Sequence, residues 1–123
     1  MTPFALPQLA VARVQGADAA TFLHGQLSAD IMALKEGDAT FACYCSPRGQ
    51  VYGLMLVCRY GDDFRLAADA GLLPGMLQRL SMFVLRARVD LELADDLEVS
   101  ASESAGSQEV DHQPAGLGLY YRF

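Results

Sequence analysis

From Leu9 to Val14 small and β-branched residues follow one another with no helical stripe, which predicts a strand that Gly16 ends. Between Ala17 and about Leu27 the spacing changes. Ala19, Phe22, Leu23 and Leu27 fall on one side of a helix, with Asp18 in the first turn, where a carboxylate complements the helix dipole. Gln26 shares the apolar stripe, Asp30 extends it if the helix continues, and the helix should stop before Gly37. Two strands follow, roughly Thr40 to Cys45 and Gln50 to Arg59, around Ser46-Pro47-Arg48-Gly49. Proline suits the second position of a type I turn and glycine the left-handed position after it, so this is a hairpin with a three-residue loop. That loop sets Tyr44 opposite Tyr52, Ala42 opposite Leu54 and Cys43 opposite Gly53.

A second turn, Gly61-Asp62-Asp63, leads into Phe64, Leu66 and Ala68, an alternating strand. Helical spacing returns from Leu72 to Val84 through Leu73, Met76, Leu77, Leu80 and Val84, and Pro74 places the helix start close to itself. Ala87, Val89, Leu91 and Leu93 then alternate with Arg88, Asp90 and Glu92, a strand with one wet face; Leu97 to Ala101 adds a further strand candidate. Short hairpins dominate, which predicts an α+β fold with a mostly antiparallel sheet and two helices. The reading divides the chain into a domain over 1–101, a polar flexible loop over 102–116, and a terminal strand or the start of a further segment over 117–123.

The hairpin is apolar on both faces. In the register above, one carries Thr40, Ala42, Tyr44, Tyr52, Leu54 and Leu56, the other Phe41, Cys43, Cys45, Val51, Met55 and Val57. A strand with one wet face alternates, so both faces should be covered. The domain's own helices supply one cover; a second domain, a second copy of the chain or a ligand supplies the other.

Composition narrows the function. A hydrophobic fraction of 52% over 123 residues supports one packed core, and the formal net charge of −6 argues against direct nucleic-acid binding. Arg79, Arg86 and Arg88 are the nearest approach to a basic patch and are expected on solvent faces. No signal peptide or membrane-length apolar run is visible, and the odd set Cys43, Cys45 and Cys58 fits a reducing cytoplasm. Cys43 and Cys45 share a strand face and Cys58 is expected on the other, so the three read as core residues rather than metal ligands, with His24 exposed on the first helix. No nucleophile elbow, P-loop or Gly-rich dinucleotide turn is present, and no catalytic residue is assigned. Gln26 is more informative. An amide on an apolar stripe must either bond nearby backbone or meet a ligand in a cavity.

The run Arg13-Val14-Gln15-Gly16-Ala17-Asp18-Ala19-Ala20-Thr21-Phe22-Leu23-His24-Gly25-Gln26-Leu27-Ser28-Ala29-Asp30 resembles the opening motif of the YgfZ-like folate-binding proteins, relatives of the glycine-cleavage aminomethyltransferase (T-protein). Cys45-Ser46-Pro47-Arg48-Gly49-Gln50-Val51 resembles their hairpin, Gly61-Asp62-Asp63-Phe64 and the helix ending at Phe83-Val84 fit in order, and Asp111-His112-Gln113-Pro114 to Gly118 resembles the segment after their first part. The resemblance implies the amino-terminal part of an aminomethyltransferase-like folate-binding fold, with tetrahydrofolate or a derivative as cofactor. It further implies a role in assembly or repair of iron–sulfur proteins, with tRNA modification affected downstream. A flat pterin with a polar edge suits an aromatic wall beside an amide, which makes Gln26, Tyr44 and Tyr52 ligand-binding candidates. Arg48, within the hairpin motif, joins them.

Two departures bear on activity. The aminomethyltransferases carry an acidic pair in the strand after the hairpin turn; here those positions hold Gly53 and Leu54, which cannot assist a proton transfer. The Lys-Gly-Cys-Tyr signature of the YgfZ-like proteins is absent from these residues, as in a shortened relative or a fragment. The expected function is a non-catalytic folate-binding module. Its partners would be folate and iron–sulfur proteins, a missing carboxy-terminal domain, or a second copy. The alternatives are a folate-dependent aminomethyltransferase and an interaction domain without ligand.

Overall fold

A computed structural model describes residues 4–5, 8–97, 100–102 and 120–122. Its principal sheet is antiparallel throughout, built from β2 (Leu9–Gln15), β3 (Ala39–Cys45), β4 (Val51–Tyr60), β5 (Asp63–Asp69) and β6 (Asp90–Leu93) in the order β3-β4-β5-β2-β6. Two helices, α1 (Ala19–Gln26) and α2 (Leu73–Ser81), complete the α+β fold expected. A small second sheet pairs β1 (Phe4–Ala5), β7 (Ser100–Ser102) and β8 (Tyr120–Arg122). The polar stretch after Ser102 and the Asp111 to Gly118 segment lie outside the described residues.

Both helices lie on one face of the sheet. Phe22 and Leu23 of α1, and Leu73, Met76, Leu77 and Leu80 of α2, join Val14, Met55, Val57, Phe64 and Leu66 from the strands in one core. The alternation Phe64, Leu66, Ala68 points inward as expected, but Ala67 is buried too, because the opposite face has its own small core of Val11, Leu56, Cys58, Ala67 and Ala94.

Both helices are shorter than their stripes. The first stops at Gln26 because Leu27 turns extended and bridges Tyr44, while Ser28 and Cys43 bond each other: Ser28 N–H to the Cys43 carbonyl at 3.0 Å, Cys43 N–H to Ser28 Oγ at 2.8 Å. Asp30 therefore lies beyond the helix, where its carboxylate accepts from Ala33 N–H and faces exposed His24 at 3.4 Å. The second begins at Leu73 with Pro74 in its first turn and gives way after Ser81 to tight turns over Met82 to Val84. The strand expected from Ala87 shortens to β6, an edge strand on which Leu93 remains 42% exposed.

The turn from β2 into α1 is fixed by a distant segment. Gly16 has φ +125°, and a Cβ there would lie 2.0 Å from the Arg88 carbonyl oxygen, so the position admits only glycine without rearrangement. Asp18 does not cap α1. Its backbone N–H donates to the Arg88 carbonyl (3.2 Å), and its carboxylate accepts from Arg88 N–H (2.8 Å).

The hairpin register differs from expectation by one residue. The loop is the three-residue turn expected, closed by Ser46 N–H to the Gln50 carbonyl (2.7 Å) and Gly49 N–H to the Ser46 carbonyl (2.9 Å). Cys45 pairs with Val51, but Tyr44 then pairs with Gly53, Cys43 with Leu54 and Ala42 with Met55. Tyr52 is the extra residue of a β-bulge, and every later residue of β4 changes face. Tyr52 stays with Tyr44 on the helix side, where Met55 and Val57 join them. Leu54 and Leu56 move to the other face. Cys58, paired with Ala39, then shares a face with Cys43 rather than opposing it.

Candidate functional site

A cavity of about 410 Å3 opens on the helix-covered side, between the hairpin tip and the carboxy-terminal ends of both helices. Gly25 and Gln26 come from α1, Tyr44 and Cys45 from β3, Ser46 and Pro47 from the turn, Tyr52 from the bulge, and Arg79, Met82 and Phe83 from α2 and the turns after it. Ligand pockets commonly span about 300–1,000 Å3, mostly apolar with few polar groups, and this lining conforms.

Each wall has a local cause. The Leu27–Tyr44 bridge brings the last turn of α1 against β3 and sets Gln26 beside Tyr44. The bulge turns Tyr52 to the same side, with its ring centroid 5.3 Å from that of Tyr44 at an interplanar angle of 59°. Tyr44 is buried, and burial pushes its phenol above the ordinary range; nearby Tyr52 acts in the same direction and the Arg79 charge opposes both. The Arg79 guanidinium lies over the Tyr52 ring, 4.3 Å from its centroid.

Three of the four candidate ligand residues, Gln26, Tyr44 and Tyr52, thus meet in one cavity. Arg48 stands exposed at the tip of the turn, its backbone N–H bonded to Ser46 Oγ at 3.3 Å, and does not line the cavity. Arg79, expected on a solvent face, is exposed and also lines the cavity. Nothing in the spacing of α2 signalled this, because the position falls outside the apolar stripe. Its place one turn beyond Met76, which packs over Gly53, is visible only once the helix is docked.

Gly53 and Leu54 point apart. A Cβ on Gly53 would approach Met76 Sδ to 2.8 Å beneath α2, while Leu54 is 56% exposed on the opposite face. The cysteines are free thiols. Cys43 and Cys45 are half-buried, whereas Cys58 is fully buried and its thiol is pushed well above the usual range by desolvation. Among the described residues no helix is long and apolar enough to cross a membrane.

This antiparallel sheet and helix pair make an aminomethyltransferase-like α+β fold. The crystal structure of the glycine cleavage system aminomethyltransferase T from Bartonella henselae superposes with a TM-score of 0.72 at 20% identity, covering 80% of this chain and 27% of that one. No protein-family profile matches. In sequence the chain is similar to proteins named tRNA-modifying protein YgfZ: 25% identical over 99 residues to that of Vibrio vulnificus (74% of this chain, 31% of the relative) and 28% over 99 residues to that of Enterobacter sp. (80% and 30%). An uncharacterised protein of Haemophilus influenzae is 31% identical over 91 residues, 73% of this chain and 32% of that protein. The chain is YgfZ-like in sequence and aminomethyltransferase-like in fold, and it spans about a third of the length of these relatives.

Proposed function

We propose that the chain is a non-catalytic folate-binding module of a YgfZ-like protein, serving assembly or repair of iron–sulfur proteins in the cytoplasm, with tRNA modification affected through those proteins. The observation that carries the reading is the cavity in which Gln26 sits beside the tilted Tyr44–Tyr52 pair. A pterin is flat, with donors and acceptors along one edge. The tyrosines offer it a wall, and the Gln26 carboxamide, which bonds no other described residue, offers both a donor and an acceptor.

The non-catalytic part of the proposal is supported by two positions. Gly53 has no side chain and lies under Met76, and Leu54 is apolar and directed away from the cavity. Neither can hold a carboxylate against a bound ring. The tRNA-modifying name belongs to relatives of which the match covers about a third, so the client proteins and the remainder of such a protein are partners in this proposal rather than parts of the site.

Calorimetry with a reduced folate tests the reading. Binding is expected to be weak, and lost in Gln26→Leu and in Tyr52→Ala, without turnover of an aminomethylated carrier protein. No heat at millimolar folate would defeat the binding claim; turnover above a no-enzyme control would defeat the non-catalytic one.

A further inference from the structure

Among the described residues Arg79 is the one charged side chain lining the cavity, in a chain whose net charge is −6. Its guanidinium stacks on Tyr52 at 4.3 Å, and no hydrogen bond or ion pair joins it to another described residue. Fifteen Asp and Glu residues are present in the sequence, and other arginines take acidic or carbonyl partners: Arg13 grips Asp96 at 2.7 and 3.0 Å, and Arg59 bonds the carbonyls of Leu34 and Gly61 at 2.7 Å. A guanidinium placed over a ring keeps its in-plane N–H groups available as donors. Stacking also holds the side chain in place, so less rotamer freedom is lost when those donors are used. The fork geometry matches a carboxylate or a phosphate in a bidentate pair.

We propose that Arg79 is a specificity-determining residue that reads an anionic carboxylate on the cavity's ligand, so that the site takes a flat heterocycle carrying an acidic tail rather than the heterocycle alone. The proposal rests on the folate reading above and deepens it. The ring lies against Tyr44 and the surface of Tyr52 that Arg79 leaves free, with Gln26 at its polar edge. The tail passes Arg79 on its way out, between Met82 and Phe83, which are both exposed and line the same cavity. Arg79, Met82 and Phe83 are all exposed, so the pair forms in contact with solvent and is open to screening by salt.

The test compares tetrahydropterin, which has no carboxylate, with 5-formyltetrahydrofolate, titrated into the whole chain and into Arg79→Gln and Arg79→Lys. The wild type is expected to bind the folate about tenfold more tightly than the pterin, the scale of one charge-assisted hydrogen-bonded pair. Arg79→Gln should weaken the folate more than the pterin and so reduce that preference. Arg79→Lys should restore part of it, and added salt should shrink it. Equal affinity of the wild type for both ligands would overturn the inference and leave the folate reading standing. So would equal weakening of both ligands in Arg79→Gln, which would make Arg79 part of the aromatic wall. Failure of both ligands to bind the wild type would overturn the folate reading and this inference with it.

Discussion

The two faces of the principal sheet are built from equally apolar strands yet end in different states. Under α1 and α2, Val14, Val57, Phe64 and Leu66 are sealed from solvent. Across the sheet, Val11, Leu56, Cys58 and Ala67 are buried, but along the β3 edge and toward the hairpin tip the cover runs out, with Phe41 38%, Leu54 56% and Val51 58% exposed. The difference teaches that covering, rather than side-chain polarity, distinguishes the faces. Two short helices suffice for one side only. At the tip, the face they reach encloses a cavity, and the face they do not reach presents an apolar surface of the kind that marks a contact.

The largest expected effect tests the sealed face against the open one. Phe64→Ala should destabilise the fold by about 3–5 kcal/mol, the usual range for emptying a packed aromatic site. Leu54→Lys should change stability by no more than about 0.5 kcal/mol, as exposed substitutions do. It should also shift concentration-dependent sedimentation toward monomer if the open face pairs two chains. Urea midpoints and sedimentation on the two variants measure both; comparable destabilisation would abolish the contrast between the faces.

A smaller difference lies among the three cysteines. Cys58, buried and held protonated by desolvation, should resist a thiol reagent in the folded chain, while half-buried Cys43 and Cys45 react. Kinetic counting of released chromophore should show two thiols before unfolding and the third after it. A fast third thiol would mean that the small core opens readily.

The smallest effect is electrostatic. The Arg13 hydrogen bonds hold the Asp96 carboxyl below its usual range, and Asp96 in turn raises Arg13. A carboxylate whose folded pKa is depressed adds stability above its unfolded pKa and loses it as pH falls through the folded one. The pair is exposed, so the contribution is slight and salt-sensitive. Asp96→Asn should lower the urea midpoint a little near neutral pH and not at strongly acid pH. An equal loss at both would assign the effect to packing.

Much of the fold was legible because local signals agreed. Phe64, Leu66 and Ala68 alternate, Pro74 starts α2, and Ser46 to Gly49 closes the hairpin as turn chemistry dictates. What was not legible depended on partners distant in sequence. The bulge at Tyr52 leaves no trace in apolar spacing, because both faces are apolar and a one-residue slip costs the pattern nothing. Asp18 reads as a helix-dipole partner until Arg88 arrives beside it. The candidate site divides in the same way. Gln26 and the two tyrosines stood out as a polar group on an apolar stripe and a facing aromatic pair. Arg79 looked like any solvent-facing cation, since only the docking of α2 over Gly53 brings it to Tyr52.

The contact of Asp18 with Arg88 joins positions 70 residues apart, with three strands and both helices between them in sequence. Closing so long a loop early would lose chain entropy before the intervening hairpins could return it. Local turns such as Ser46 to Gly49 can form first, and the clasp at Gly16 is expected to close late. A bond made after the rate-limiting step leaves the folding rate almost untouched and slows unfolding. The glycine that admits Arg88 so closely therefore acts on the lifetime of the folded chain more than on how quickly it forms.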